Sequence, residues 1–180
     1  MKSIILSCTP TECEKIVNGD MSILVRKKVP NESNLPIKAY IYETKGATET
    51  PWVDEDGHYI YKGKGQVIGE FICDKVYLIK NQGNSFVVAN EEQGVTNEIA
   101  RQSCLDYDDM VSYLGNKDGY GLHITALKIY GEPKKLSEFC IPCKTNCEDC
   151  KKPLFYDCWR EKGRIKVVTR PPTNYIYVVE

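Results

Sequence analysis

Hydrophobic and polar positions alternate in short runs along most of this chain, and the period changes only a few times. Ile4 to Ser7 is a short apolar run that predicts a first strand. Cys13, Ile16 and Val17 then recur at i, i+3 and i+4, the spacing of one helical face. Thr9 suits the N-cap of that helix, Pro10 its first position, and Glu12 completes a capping box. Gly19 supplies the positive φ that ends it. From Ser22 to Lys27 the period falls to two, with Ile23 and Val25 on one side and Ser22, Leu24 and Arg26 on the other.

The pattern continues in strand-length pieces. Lys38 to Glu43 alternates Ala39 and Ile41 against Tyr40 and Tyr42, a strand with apolar side chains on both faces. Pro30 to Pro36 reads as a polar loop, and 46–65, rich in Gly, Pro and Asp, as a long loop or an extra hairpin. Gln66 to Lys80 is the strongest β-region, with a break predicted at Cys73-Asp74, and a short apolar run lies within Asn81 to Asn90. A short helix is predicted over Thr96 to Arg101. A clearer one starts at Asp106, buries Met110, Val111 and Leu114, and stops at Gly115. Gly121 to Tyr130 alternates as one strand; Ile165 to Val168 and Tyr175 to Val179 supply the last strands. No internal repeat is present, and one domain spanning residues 1–180 with an embedded cysteine-rich knuckle over 140–158 is the economical reading.

Composition narrows the functional classes. With 42% hydrophobic residues, 180 residues can build one ordinary core. A formal net charge of -1 excludes a generally basic nucleic-acid coat, so such binding would need a local cationic patch. No apolar run reaches the length of a membrane-spanning helix, and the N-terminus reads as a strand rather than an export signal, which points to the cytoplasm. In that compartment nine cysteines read as thiols or metal ligands. Cys140, Cys143, Cys147 and Cys150 have the spacing C-x2-C-x3-C-x2-C, which suits a closed, structural zinc site, with Cys158 as a substitute ligand; free thiols and an iron–sulfur centre are the alternatives.

Several polar residues carry candidate chemistry. Arg26, Lys27 and Lys28 crowd one strand end and can grip a phosphate or form a solvated edge. Glu70 lies in an otherwise apolar strand and needs a partner, for which Arg26 is a candidate. His123 alternates with apolar neighbours and reads first as a structural histidine. Tyr40, Tyr42 and Trp52 offer faces for base stacking or side chains for a core.

The segment from Thr9 to Pro30 resembles the ASCH domain, a branch of the PUA-like superfamily of small barrels, whose signature after the first helix is G-x-K-x-x-E-x-R. Gly19 and Arg26 match it, while Met21 and Leu24 replace its lysine and its glutamate or threonine. The likeness extends to YIYETKG (Tyr40 to Gly46), GQVIGEFICDKV (Gly65 to Val76), GYGLHI (Gly119 to Ile124), LSEF (Leu136 to Phe139) and TRPP (Thr169 to Pro172), and is nearest to ASCH proteins of phage and prophage type. The resemblance implies an α+β, PUA-like small β-barrel with a few flanking helices and the cysteine-rich insertion. It implies a module binding single-stranded RNA or a nucleotide at a cationic cleft beside Gly19 to Arg26. The expected site residues are Gly19, Ser22, Arg26, Lys27, Lys28, Tyr40, Glu70 and His123. The resemblance also carries alternatives: an amidohydrolase acting on acetylated cytidine, a ribonuclease, or a phage accessory module that binds a protein partner. Met21 and Leu24 cannot move a proton or attack a carbonyl, which weighs against catalysis.

Overall fold

The computed structural model describes residues 2–31, 34–53, 59–83, 85–141 and 166–179; side chains at 47–53, 59–62, 93, 94 and 166 are not described. Two sheets carry the fold. The first consists of β1 (Ser3–Cys8), β3 (Ile37–Glu43), β6 (Val67–Cys73), β10 (Thr125–Lys134) and β13 (Tyr175–Val178), in the order β10-β6-β3-β1-β13. The second consists of β2 (Ile23–Arg26), β7 (Val76–Asn81), β8 (Phe86–Val88) and β9 (Gly119–His123), in the order β2-β9-β7-β8. Among the described residues the sheets do not close into one hydrogen-bonded ring, so the arrangement is barrel-like rather than a closed barrel. Two small ribbons complete the β-structure, β4 (Ala47–Val53) with β5 (Tyr59–Lys62) and β11 (Cys140–Ile141) with β12 (Lys166–Val167).

Among the described residues, three α-helices flank the sheets: α1 (Pro10–Val17), α2 (Gln93–Ser103) and α3 (Tyr107–Leu114). The cap of α1 forms as its sequence dictates: the Glu12 amide donates to Thr9 Oγ1, and the Thr9 amide donates to the Glu12 carboxylate. Asp106 and Asp109 make the same reciprocal cap on α3. The helix expected over Thr96 to Arg101 extends further at both ends, and Cys104 ends it in the left-handed region at φ 52°.

Side-chain alternation separates three apolar clusters. One face of the five-stranded sheet (Ile4, Leu6, Ile37, Ala39, Ile41, Phe71) packs on Cys13 and Ile16 of α1 and on Met21, Leu24 and Leu122 of the second sheet's side. Its other face (Ile5, Tyr40, Tyr42, Val67, Val178) is covered by Leu136, Phe139 and Val168. The outer face of the four-stranded sheet packs on Ile99 of α2 and on Met110 and Leu114 of α3.

The segment read as one strand over Gly121 to Tyr130 is two. β9 ends at His123 in one sheet and β10 begins at Thr125 in the other, with Ile124 between them; Ala126, at φ 47°, lies in the irregular first part of β10. The break expected at Cys73-Asp74 separates β6 from β7 and likewise moves the chain between sheets. The extra hairpin considered for 46–65 forms, pairing Trp52 with Ile60 in β4 and β5; the Trp52 side chain lies outside the described residues.

Candidate functional site

The signature segment is built into the core. Met21 and Leu24 are 4% and 0% exposed and fill space between the sheets, so the positions that carry polar groups in the family pattern hold buried apolar ones here. Gly19, at φ 81°, makes the turn out of α1. The Ser22 amide donates to the Gln102 carbonyl, and its own carbonyl accepts from Ile124.

Arg26 is not an exposed cation. Its side chain is 5% exposed, and both terminal guanidinium nitrogens are hydrogen-bonded within the protein. Nη1 donates to Glu12 Oε1 and to the Val25 carbonyl, each at 2.7 Å; Nη2 donates to the Ser7 carbonyl at 2.8 Å and to Cys8 Sγ at 3.2 Å. Burial alone would lower the Arg26 pKa, but the neighbouring Cys8 and Glu12 hold it raised. Glu12 therefore has two tasks, capping α1 and neutralising Arg26. Lys27 and Lys28 remain exposed, with the Lys27 ammonium 5.0 Å from the centre of the Tyr113 ring.

The other expected site residues are dispersed. Glu70 is paired with Lys38 at 3.0 Å and accepts the Tyr130 hydroxyl at 2.5 Å; it does not pair with Arg26. Register explains the difference: Glu70 stands opposite Tyr40 of β3 and Lys128 of β10, among five-stranded-sheet neighbours, whereas Arg26 lies in the other sheet. Burial alone would raise the Glu70 pKa, yet the hydrogen bonds from Tyr130 and Lys38 and the nearby lysine charges hold it lowered. Tyr40 is 1% exposed, and its ring packs on Phe139 with centroids 4.8 Å apart, so it serves the core rather than a stacking surface. His123 Nδ1 lies 2.8 Å from Asp74 Oδ1 at the end of β9. Cys140 is described and half-buried, with burial raising its thiol pKa. Cys143, Cys147, Cys150 and Cys158 lie outside the described residues, and among the described residues no cluster of metal-ligating groups occurs.

A different concavity gathers polar groups from four distant segments. A cavity of about 570 Å³ is lined by Tyr42 of β3 and Thr44 and Lys45 just after it, by Gly65 before β6, by Lys135, Leu136 and Ser137 after β10, and by Val168, Thr169 and Pro171 after β12. Among the described residues, two lysines and four hydroxyl-bearing residues contribute, and no carboxylate residue does. Among the described residues, neither lysine has an ion pair. Tyr42 is 4% exposed, and burial raises its hydroxyl pKa, so the group stays a neutral donor at physiological pH. That hydroxyl has no hydrogen-bond partner among the described residues.

Gly65 fixes the lysine on one wall. It has φ 71°, and a Cβ there would fall 2.6 Å from Lys45 Cε, so the lysine stem lies directly on the glycine backbone. The buried network around Arg26 touches the same walls. The Thr44 amide donates to the Cys8 carbonyl, and the Ser7 hydroxyl donates to the Pro172 carbonyl at 2.7 Å. Each lining segment overlaps a stretch whose sequence resembles the ASCH pattern. The signal was therefore present in YIYETKG, LSEF, TRPP and the glycine opening GQV, but only the fold reveals that they meet.

No protein-family model matches the chain, and no curated protein matches it. Solved structures do, and the fold they share with it is that of an ASCH protein. The crystal structure of ASCH from Zymomonas mobilis matches with a TM-score of 0.58 at 13% identity, over 99% of this chain and 89% of that one. A tyrosine-to-phenylalanine mutant of the Zymomonas mobilis protein gives 0.57 at 12% identity, over 100% and 92%. A serine-to-alanine mutant gives 0.55 at 13% identity, over 99% and 89%. At such identity the likeness establishes the fold alone.

Proposed function

We propose that the protein binds a nucleotide or single-stranded RNA, and that the ligand enters the cavity between Lys45 and Lys135 rather than the surroundings of Arg26. The observation that carries this reading is the lining itself: among the described residues, two lysines, four hydroxyl-bearing residues and no carboxylate around one concavity. Ammonium groups favour phosphate, while hydroxyls suit ribose oxygens and base edges. Among the described residues the buried hydroxyl of Tyr42 has no partner, and it is ready to meet one. The ASCH-like fold supports the same ligand class, because the PUA-like resemblance implies RNA or nucleotide recognition.

The net charge of -1 provides little long-range attraction, so affinity rests on the local lysines and falls with salt. Ultraviolet crosslinking of a short oligouridylate, followed by peptide mapping, tests the location. Crosslinks in the segments carrying Tyr42, Lys45 and Lys135 are expected. Crosslinks confined to the Lys27 and Lys28 strand end would return the site to the signature segment.

The spacing of Cys140, Cys143, Cys147 and Cys150, with Cys158 near, supports a separate proposal of a structural zinc knuckle. Four thiolates would close the coordination sphere and leave no position for a catalytic water.

A further inference from the structure

The cavity between Lys45 and Lys135 offers more donors than a phosphate inside a nucleic-acid strand can use. Lys45 is exposed and rests its stem on Gly65; Lys135 is exposed and opens the short helical turn Leu136–Glu138. Tyr42, only 4% exposed, adds a neutral phenol, and Thr44, Ser137 and Thr169 add three further hydroxyls. Among the described residues, none of these four hydroxyls makes a side-chain hydrogen bond and neither ammonium has an ion pair.

The carboxylates on the same segments are engaged elsewhere. Glu43 Oε2 accepts from the Lys64 amide at 2.8 Å, and Glu138 Oε1 accepts from the Lys135 amide at 2.6 Å. Each adjoins a lining residue in sequence, yet neither lines the cavity. The two lysine charges are therefore left uncompensated within the lining, among the described residues.

We propose that the group held between Lys45 and Lys135 is a terminal phosphomonoester, the phosphorylated end of a short RNA or of a free nucleotide, with the Tyr42 hydroxyl as its third donor. This assignment rests on the cavity being the ligand site. A phosphomonoester carries a charge of about -1.5 to -2 at pH 7 and presents three strong acceptor oxygens. A phosphodiester inside a strand carries a single negative charge and has only two non-bridging oxygens. Two lysines match the monoester in charge, whereas one lysine suffices for the diester. Three oxygens likewise suit two ammoniums and a phenol. The buried phenol decides between the two. A donor left without a partner at that depth costs stability, and a phosphate end that enters the cavity removes the cost. Exposed lysines alone can hold a phosphate that stays on the surface, with no need of a buried donor.

The test measures binding to the full chain of a short oligouridylate carrying a 5′-phosphate, a 3′-phosphate or neither, beside uridine monophosphate and uridine. A terminal phosphate should tighten binding about tenfold. The end that gains, or a gain confined to the mononucleotide, identifies the source of the phosphate. Lys45→Ala with Lys135→Ala should abolish that gain, and Lys27→Ala with Lys28→Ala should leave it whole. Tyr42→Phe, which keeps the ring in the core, should reduce it about threefold.

Equal affinity for phosphorylated and unphosphorylated probes overturns the proposal while leaving the cavity a site for internal phosphates. A gain that survives the loss of both lysines also overturns it, because the phosphate then sits elsewhere. A gain untouched in Tyr42→Phe removes the phenol from the phosphate's donors. If no probe binds wild type, the binding function and the phosphate assignment fall together.

Discussion

The Arg26 cluster and the Lys45–Lys135 cavity are adjacent regions that treat their cations in opposite ways. Arg26 is enclosed, and four internal acceptors hold it: a carboxylate, two carbonyls and a thiol sulfur. Lys45 and Lys135 line an open concavity to which, among the described residues, no carboxylate contributes. A charge whose hydrogen bonds are already made has little left to offer a ligand, and a buried pair is costly to break. The signature arginine is therefore read as scaffold for the cavity, joined to it through Ser7 and Cys8, rather than as the phosphate-binding group.

Removing each kind of cation separates the two roles. Arg26→Ala should have the largest effect, lowering unfolding free energy by about 3 kcal/mol in urea titrations, because the Glu12 carboxylate and the Ser7 and Val25 carbonyls lose their donor. A loss below ~0.5 kcal/mol, the range of ordinary surface substitutions, would show that the guanidinium is not structural. The Cys143→Ser, Cys147→Ser double variant tests the knuckle at the chain's other end. Wild type purified without chelator should carry about one zinc per chain, and this variant none.

Gly65→Ala sharpens the comparison at intermediate scale. The positive φ and the 2.6 Å approach to Lys45 Cε predict a stability loss of about 1 kcal/mol. Displacement of Lys45 should also weaken oligonucleotide binding, so undiminished affinity would remove that lysine from the site.

The smallest effect concerns pH. Glu70 has a lowered pKa in the folded chain, so its ionised form contributes stability above the ordinary carboxylate range, and that contribution is lost as pH falls through the folded value. Glu70→Gln should therefore reduce stability at pH 7 and flatten its decline on acidification. An acid limb identical to that of wild type would contradict the Lys38 and Tyr130 pairing.

Local structure was legible in the sequence where the cause is local. Thr9, Glu12 and the i, i+3 spacing of Cys13 and Ile16 suffice for α1, and Asp106 with Asp109 suffices for the start of α3. What alternation could not show is which sheet a strand joins. Polarity continues smoothly through Gly121 to Tyr130, although the chain changes sheet between His123 and Thr125. The partner of Glu70 was misassigned for a similar reason, since cross-strand register selects Lys38 and Tyr130. Tyr40 and Tyr42 are alike in sequence and nearly alike in burial. Yet Tyr40 packs on Phe139 while Tyr42 lines the cavity, a difference that only the covering segments after β10 and β12 create. The cavity itself was illegible because residues from 42 to 171 assemble it.

The most direct test is a salt titration of oligouridylate binding to wild type, to Lys45→Ala with Lys135→Ala, and to Lys27→Ala with Lys28→Ala. The account predicts that the first double variant loses about 1–3 kcal/mol of binding and has a flatter salt dependence, while the second stays close to wild type. The opposite order, with the Lys27 and Lys28 variant impaired and the Lys45 and Lys135 variant unaffected, would contradict it.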